Sequence, residues 1–375
     1  MARVVVLGGG YAGLACLITL AKKDPQLDLH LVDAQVEHCK ITNLHKTFAR
    51  PVSDFKVPYT QLADRFNFTF HRQRIDFSLD DLVRWQQEKT ISLLDQELSF
   101  DWLVICTGAT PDLLPEWQDG VTQETLLLGQ GSRLLEEYSD RLTEEPVNIS
   151  LVGAGATGVQ MLFELHDQLR KQWVTHQLRL IDLSPTTVPT LPQGAHKYIV
   201  RKMDRAGIEY LPETRFLGQQ EGEISLEERE SGRKYRLPSD LTLVFPGVRR
   251  SPFQLETNAY GQVLAAEQVL TDVFSAGDCS CFDSSGLNLL TGQAAVRKGK
   301  LVAHNVFSRS KDRPLRSYLY QEKGYLLSLG RVDAVGWVGL RSNLVKGFPA
   351  LVLKEAMEGQ YDLFLDGVDT YVGFP

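Results

Sequence analysis

The chain opens on a short β-branched apolar run, Arg3–Leu7, that breaks directly into glycines. A run this short, without alternation, predicts a strand buried on both faces. Leu14, Leu17, Ile18 and Ala21 then recur at helical spacing and predict a helix over Tyr11–Lys23, stopped by Asp24-Pro25. Leu27–Asp33 reads as the next strand. Strand, helix and strand in this order imply a parallel sheet with helices on its faces. The same grammar returns as strand Val147–Val152, loop Gly153–Gly158, helix Val159–Trp173 and strand Gln177–Asp182. Three more buried strands are predicted: Trp102–Cys106 before Thr107-Gly108, Leu241–Pro246 before Gly247, and Asp272–Ala276 before Gly277-Asp278. Gly292–Val306 reads as a helix, 309–316 as a polar linker, and the aromatic-rich tail 317–375 as a small C-terminal unit.

The two loops carry the first chemistry. Gly8, Gly10 and Gly13 fit G-x-G-x-x-G after a strand. The first glycine permits the tight turn, the second admits a diphosphate to the backbone, and the third lets helix and sheet pack closely. A helix N-terminus adds free N–H groups and partial positive charge for the phosphates. Asp33 follows at the end of the next strand, where an acid accepts hydrogen bonds from a ribose diol. Gly153, Gly155 and Gly158 repeat the pattern, with Asp182 as the acid. An acid there favours NADH over NADPH, since a 2′-phosphate would be repelled. Arg179 is the nearby cation able to take that phosphate, but in a regular strand it points to the opposite face from Asp182.

Composition narrows the class. In 375 residues the net charge is -7, against a nucleic-acid surface, which needs basic excess. No run reaches the roughly 18 apolar residues of a membrane-spanning helix, and the start lacks a signal-peptide pattern. Five irregularly spaced cysteines fit a reducing compartment better than a disulfide framework. Among the eight histidines no metal-ligand spacing occurs; His38 and His45 do not make a helical pair. The expectation is a cytoplasmic protein, with peripheral contact to the inner face of a membrane left open.

Further segments identify a resemblance. Asp101–Ala109 is similar to the "ATG" segment of the two-dinucleotide flavoproteins, with Cys106 in place of alanine, and Thr271–Asp278 resembles their second FAD fingerprint. Within that superfamily the chain is most similar to type II NADH dehydrogenases and the ferroptosis-suppressor-like branch. Thr157-Gly158-Val159, Leu191-Pro192 and Gly207-Ile208-Glu209 match the NADH domain, Thr291–Lys300 resembles the "AQxAxQ" start of the quinone-pocket helix, and Tyr325–Arg331 with Tyr361–Phe364 resembles the ferroptosis-suppressor branch. The resemblance implies an α/β fold with two Rossmann-like domains: a discontinuous FAD domain (1–112 and 247–310), an inserted NADH domain (113–246) and a C-terminal unit (311–375). It implies NADH:quinone oxidoreduction, with hydride passing from NADH to FAD and two electrons then passing to a quinone. FAD would fall to Gly8, Gly10, Tyr11, Ala12, Gly13, Asp33, Thr107, Gly108, Gly277, Asp278 and Ala294; NADH to Gly153, Gly155, Thr157, Gly158, Asp182 and Gly247.

Departures from the pattern matter as much. Gln160 stands where the family has a glutamate that positions the nicotinamide; it keeps hydrogen bonding and loses charge. Gly292 replaces the quinone motif's alanine and Arg297 its second glutamine, so Gln293 and Arg297 become the quinone contacts, with Gln160 and Gln293 beside the reacting centre. Residues 36–60 match the family poorly. No C-x-x-C or C-x4-C redox pair exists, and Cys279-x-Cys281 has the wrong spacing. The rival readings are a ferredoxin or rubredoxin reductase, a sulfide:quinone reductase, and an FAD/NADH redox-sensing protein with little turnover. In relatives C-terminal helices mediate membrane contact or dimerisation, and both associations are open for Phe348–Leu365.

Overall fold

The computed structural model describes residues 1–111, 121–129, 146–245, 247–249, 254–265 and 267–371. The expected domain boundaries at 112/113 and 246/247 therefore fall at least partly outside the described residues.

Arg3–Leu7 is the axis of an eight-stranded sheet. Its order is Ser280–Phe282, Leu255–Thr257, Gln262–Ala265, Gln268–Ser275, Trp102–Ile105, Arg3–Leu7, Asp28–Asp33, Phe68–Arg72. The last five strands are mutually parallel, with Val4 to Leu7 opposite Leu29 to Val32 on one side and Trp102 to Ile105 on the other. Strands from both ends of the first 282 residues thus share one sheet. A second, four-stranded parallel sheet runs Glu209–Leu211, His176–Ile181, Val147–Val152, Leu241–Val244. Of the continuous apolar runs foreseen as doubly covered strands, Val4 to Leu7, Leu103 to Ile105, Ile149 to Val152, Leu241 to Val244 and Val273 to Ala276 are buried.

The helices follow from their apolar stripes. Tyr11–Lys23 buries nine consecutive residues, Ala12 to Leu20, because it lies between the sheet and the helix Gly292–Arg309. That contact needs a glycine: a Cβ on Gly299 would strike the Ala12 carbonyl. The second loop's helix runs Ala156–Lys171 rather than Val159–Trp173. Gly155 serves as its N-cap, so the loop residues Ala156 to Gly158 form the first turn, and Trp173 adopts a left-handed φ of +60° beyond the end. The helix Gly292–Arg309 outruns its expected end at Val306, and the linker after it is pinned where Asn305 exchanges two hydrogen bonds with the Arg316 backbone (2.8 and 2.9 Å).

The C-terminal unit is an antiparallel sheet, Gly324–Ser328, Ala334–Val338 and Leu344–Lys346, followed by the helix Phe348–Leu365. Its acids form a row against cations of the N-terminal part, Glu355 and Glu358 with Lys46 (2.9 and 2.8 Å), Asp362 with Lys40 (2.8 Å) and Asp366 with Arg65 (2.6 Å), and against the helix Gly292–Arg309, where Asp369 meets Lys300 (2.7 Å). This row pairs the acids of the tail with cations of the rest of the chain. Segment 36–60, which matched relatives poorly, is therefore the floor on which the tail lies. Among the described residues no helix is long and apolar enough to cross a membrane.

Candidate functional site

Both glycine loops are built alike, at the carboxyl ends of parallel strands. Gly8 (φ +97°) and Gly153 (φ +105°) take the left-handed turn out of their strands, and their N–H groups donate to Val32 O and Ile181 O, each at 2.8 Å. A Cβ on Gly13 would run into Gly8 O, and one on Gly158 into Gly153 O. Gly10 and Gly155, by contrast, would direct a Cβ into open space. Each is a helix N-cap with no side chain to cap the first turn. The result is two bare, positively polarised helix ends behind a backbone that a diphosphate can approach.

The acids are held alike as well. Asp33 accepts from Gly9 N–H (2.6 Å) and Gln35 N–H (2.7 Å); Asp182 accepts from Ala154 N–H and Ser184 N–H (2.6 Å). One bond ties each acid to its loop and the other braces it locally. A carboxylate has about four acceptor positions, so each keeps room for a ribose diol. Arg179 faces away from this site, with its guanidinium bound to Glu209 (2.7 Å) and Pro238 O (2.6 Å) and only 7% of the residue exposed.

Around the first loop, tertiary contacts add what spacing did not reveal. Gly9 O accepts from Tyr59 O–H (2.9 Å) and from His38 Nδ1 (3.1 Å), and His38 Nε2 meets the Tyr361 hydroxyl (3.1 Å). Burial pushes the His38 imidazole down to about 4, more than its bond to Gly9 raises it, so it is neutral near pH 7. Tyr11 lies 4.5 Å from the Tyr361 ring and bonds Thr42 Oγ1 (2.9 Å). Gly277 (φ +88°) abuts Ala12, where a Cβ would come within 2.9 Å, and this brings Asp278 beside the first loop. Beneath the turn, fully buried Lys298 donates to Ser280 O (2.7 Å) and Gly277 O (3.3 Å). Thr107 is exposed and Gly108 (φ +77°) has open space around it.

The remaining expected residues sit as follows. Ala294 is fully buried, and its N–H is taken by Thr291 Oγ1 (3.2 Å), so the helix end presents Gly292 and Gln293 instead. Gly292 lies against Thr42 and Tyr11, which joins this helix start to the first loop, and Gln293 is half-buried. Arg297 is 8% exposed and stacks over Tyr371 (5.1 Å), beneath the tail rather than on an open surface; burial lowers its pKa. Thr157 and Gly247 (φ +98°) are exposed near the second loop. Gln160 is buried, and its Oε1 accepts from Ser328 N–H (3.3 Å) and Ser328 Oγ (3.1 Å), which also meets His45 Nε2 (3.0 Å). This network ties the second loop's helix to segment Ile41–Phe48 and to the C-terminal sheet. Burial holds His45 well below its ordinary value, and Lys354 and Lys46 add to the effect. Sequence reasoning assigned no role to Tyr59, Tyr361, Lys298, Ser328, His38 or His45: isolated polar residues carry no periodic or spacing signal.

The donor set matches a pair of dinucleotides: two cradles without side chains, two uncapped helix ends and two loop-anchored acids. A sequence model of the pyridine nucleotide-disulphide oxidoreductase family matches residues 2–299. The chain belongs to this family. Its expected dependence on FAD and a nicotinamide nucleotide stands with that membership. It is 25% identical to the type II NADH:quinone oxidoreductase of Haemophilus influenzae, over 90% of this chain and 87% of that one. It is 26% identical to a demethylphylloquinone reductase of Synechocystis, over 89% and 86%. The solved structure of NDH2 from Plasmodium falciparum in complex with NADH shares the fold, with a TM-score of 0.77 at 14% identity, covering 100% of this chain and 99% of that one. So does the sulfide:quinone oxidoreductase of Aquifex aeolicus, with a TM-score of 0.77 at 17% identity, covering 98% and 92%.

Proposed function

We propose that this protein is an FAD-dependent NADH:quinone oxidoreductase. The observation that carries it is the duplicated cradle, one bare helix end and one loop-anchored acid per dinucleotide. The names of the relatives, which span nearly the whole chain, support the quinone as acceptor. When bound, FAD supplies the two-electron chemistry.

The chain's own groups supply position. The first loop, with Asp33, Gly277 and Asp278, holds FAD; the second, with Thr157, Asp182 and Gly247, holds NADH. Gln160, braced by Ser328, would help position the nicotinamide, and Gln293 would contact the quinone. Arg297 acts on the acceptor side through the tail that covers it. The eight-stranded sheet supports an FAD domain of 1–112 with 247–310, an NADH domain of 113–246 and a C-terminal unit from 311. Sulfide chemistry finds little support, since the chain has no C-x-x-C or C-x4-C redox pair and burial raises the Cys16, Cys39 and Cys106 thiols.

The helix Phe348–Leu365 exposes Phe348, Val352, Leu353 and Leu363. With Glu355, Glu358 and Asp362 paired to Lys46 and Lys40, this apolar arc supports peripheral contact with the membrane that dissolves a quinone. Anaerobic stopped flow tests the central reading. NADH must bleach the flavin within milliseconds to seconds, and a soluble quinone must restore its colour. Failure of the first step removes the dehydrogenase reading; failure of the second removes the acceptor.

A further inference from the structure

The first loop is gripped from a distance in sequence. Gly9 O receives two hydrogen bonds, from Tyr59 O–H (2.9 Å) and His38 Nδ1 (3.1 Å), while Gly9 N–H is held by Asp33 (2.6 Å). A carbonyl only accepts, so His38 carries its proton on Nδ1; its bare Nε2 then accepts from the Tyr361 hydroxyl (3.1 Å). The chain of donors thus runs from the C-terminal helix, through His38, to the glycine loop.

The peptide plane gives this chain its consequence. The Gly9–Gly10 bond is trans, so its carbonyl and the Gly10 N–H point in opposite directions. Fixing the oxygen on the buried side aims the Gly10 N–H at the open side, where Gly10 is exposed and a Cβ would meet nothing within 4 Å. That is the face a diphosphate approaches. Tyr361 is itself held in place: it packs on Tyr11 at 4.5 Å, and its neighbour Asp362 pairs with Lys40 at 2.8 Å.

We infer that Tyr361 and His38 are positioning residues for the FAD diphosphate, setting the Gly9–Gly10 peptide so that the Gly10 N–H meets it. The inference rests on the assignment of the first loop to FAD. The C-terminal helix thereby takes part in holding the cofactor, some 350 residues from the loop it orients.

The test uses the full chain with Tyr361→Phe, His38→Ala and the double variant. FAD affinity is read from flavin fluorescence on titration, ADP displacement probes the diphosphate contact, and circular dichroism gives the melting temperature without added FAD. Tyr361→Phe keeps the ring and removes the donor. It should weaken FAD and ADP together, about two- to tenfold, the size of one neutral hydrogen bond, with the melting temperature without FAD unchanged. The effects of the two variants should not add, since both break one chain. Unchanged FAD affinity in Tyr361→Phe overturns the inference, as does a loss that merely tracks a fall in melting temperature. If the unaltered protein fails to bind FAD, the assignment of the loop itself is at fault.

Discussion

Gly155 and Gly158 lie three residues apart and should fail in opposite ways when each is changed to alanine. At Gly158 the added Cβ falls 3.1 Å from Gly153 C and closer still to Gly153 O. That carbonyl cannot retreat easily, because the Gly153 N–H is anchored to Ile181 O at 2.8 Å. Overpacking a core costs about 1–3 kcal/mol where side chains adapt; against fixed backbone the loss should reach about 3 kcal/mol or more. The gain in helix propensity, about 1 kcal/mol, does not offset it. At Gly155 the φ of -71° suits any residue and the Cβ meets nothing. The stability cost there is about 0.5 kcal/mol, that of a poorer N-cap. The methyl group instead occupies the approach of the diphosphate, and KM for NADH should rise roughly tenfold or more, about 1.4 kcal/mol. The assay combines urea unfolding, visible flavin absorbance and steady-state kinetics. Gly155→Ala should retain full FAD content and near-normal stability with impaired NADH use; Gly158→Ala should be unstable. A Gly155→Ala protein with unchanged KM for NADH, or one that loses FAD instead, would refute the assignment of the loops.

Three further outcomes follow from the same geometry. Asp182→Asn should narrow the preference for NADH over NADPH, since Arg179 is committed elsewhere and the acid is the group that repels a 2′-phosphate; an unchanged kcat/KM ratio would count against that role. Acid should destabilise the fold through buried histidines. His38 titrates near 6.5 when unfolded but at about 4 when folded, so the unfolded state binds the proton first; its contribution is complete above pH 6.5 and declines as pH falls toward 4, by about 3 kcal/mol in all, and His45 acts in the same direction. Urea unfolding from pH 7 to 5 that showed no loss would contradict this. Finally, Val352→Glu on the exposed arc should abolish co-sedimentation with anionic lipid vesicles while NADH oxidation by a water-soluble acceptor continues; sedimentation equal to the unaltered protein would exclude that face.

Local order determined much of this protein. Strand, glycine loop, helix, strand and acid are contiguous, so Arg3–Leu7, Gly8 to Gly13 and Asp33 could be read from spacing, as could their second copy ending at Asp182. The parallel α/β architecture followed from the same order, because buried strands and amphipathic helices each announce themselves within a dozen residues. What only the tertiary structure decided was which distant side chains complete each site. Tyr361 reaches Gly9 through His38, Ser328 braces Gln160, Lys298 underpins the Gly277 turn, and the tail buries Arg297. Each is a single polar residue paired across a gap of many residues. Such pairings leave no period in the chain; they arise when packing excludes water and every buried donor must find an acceptor.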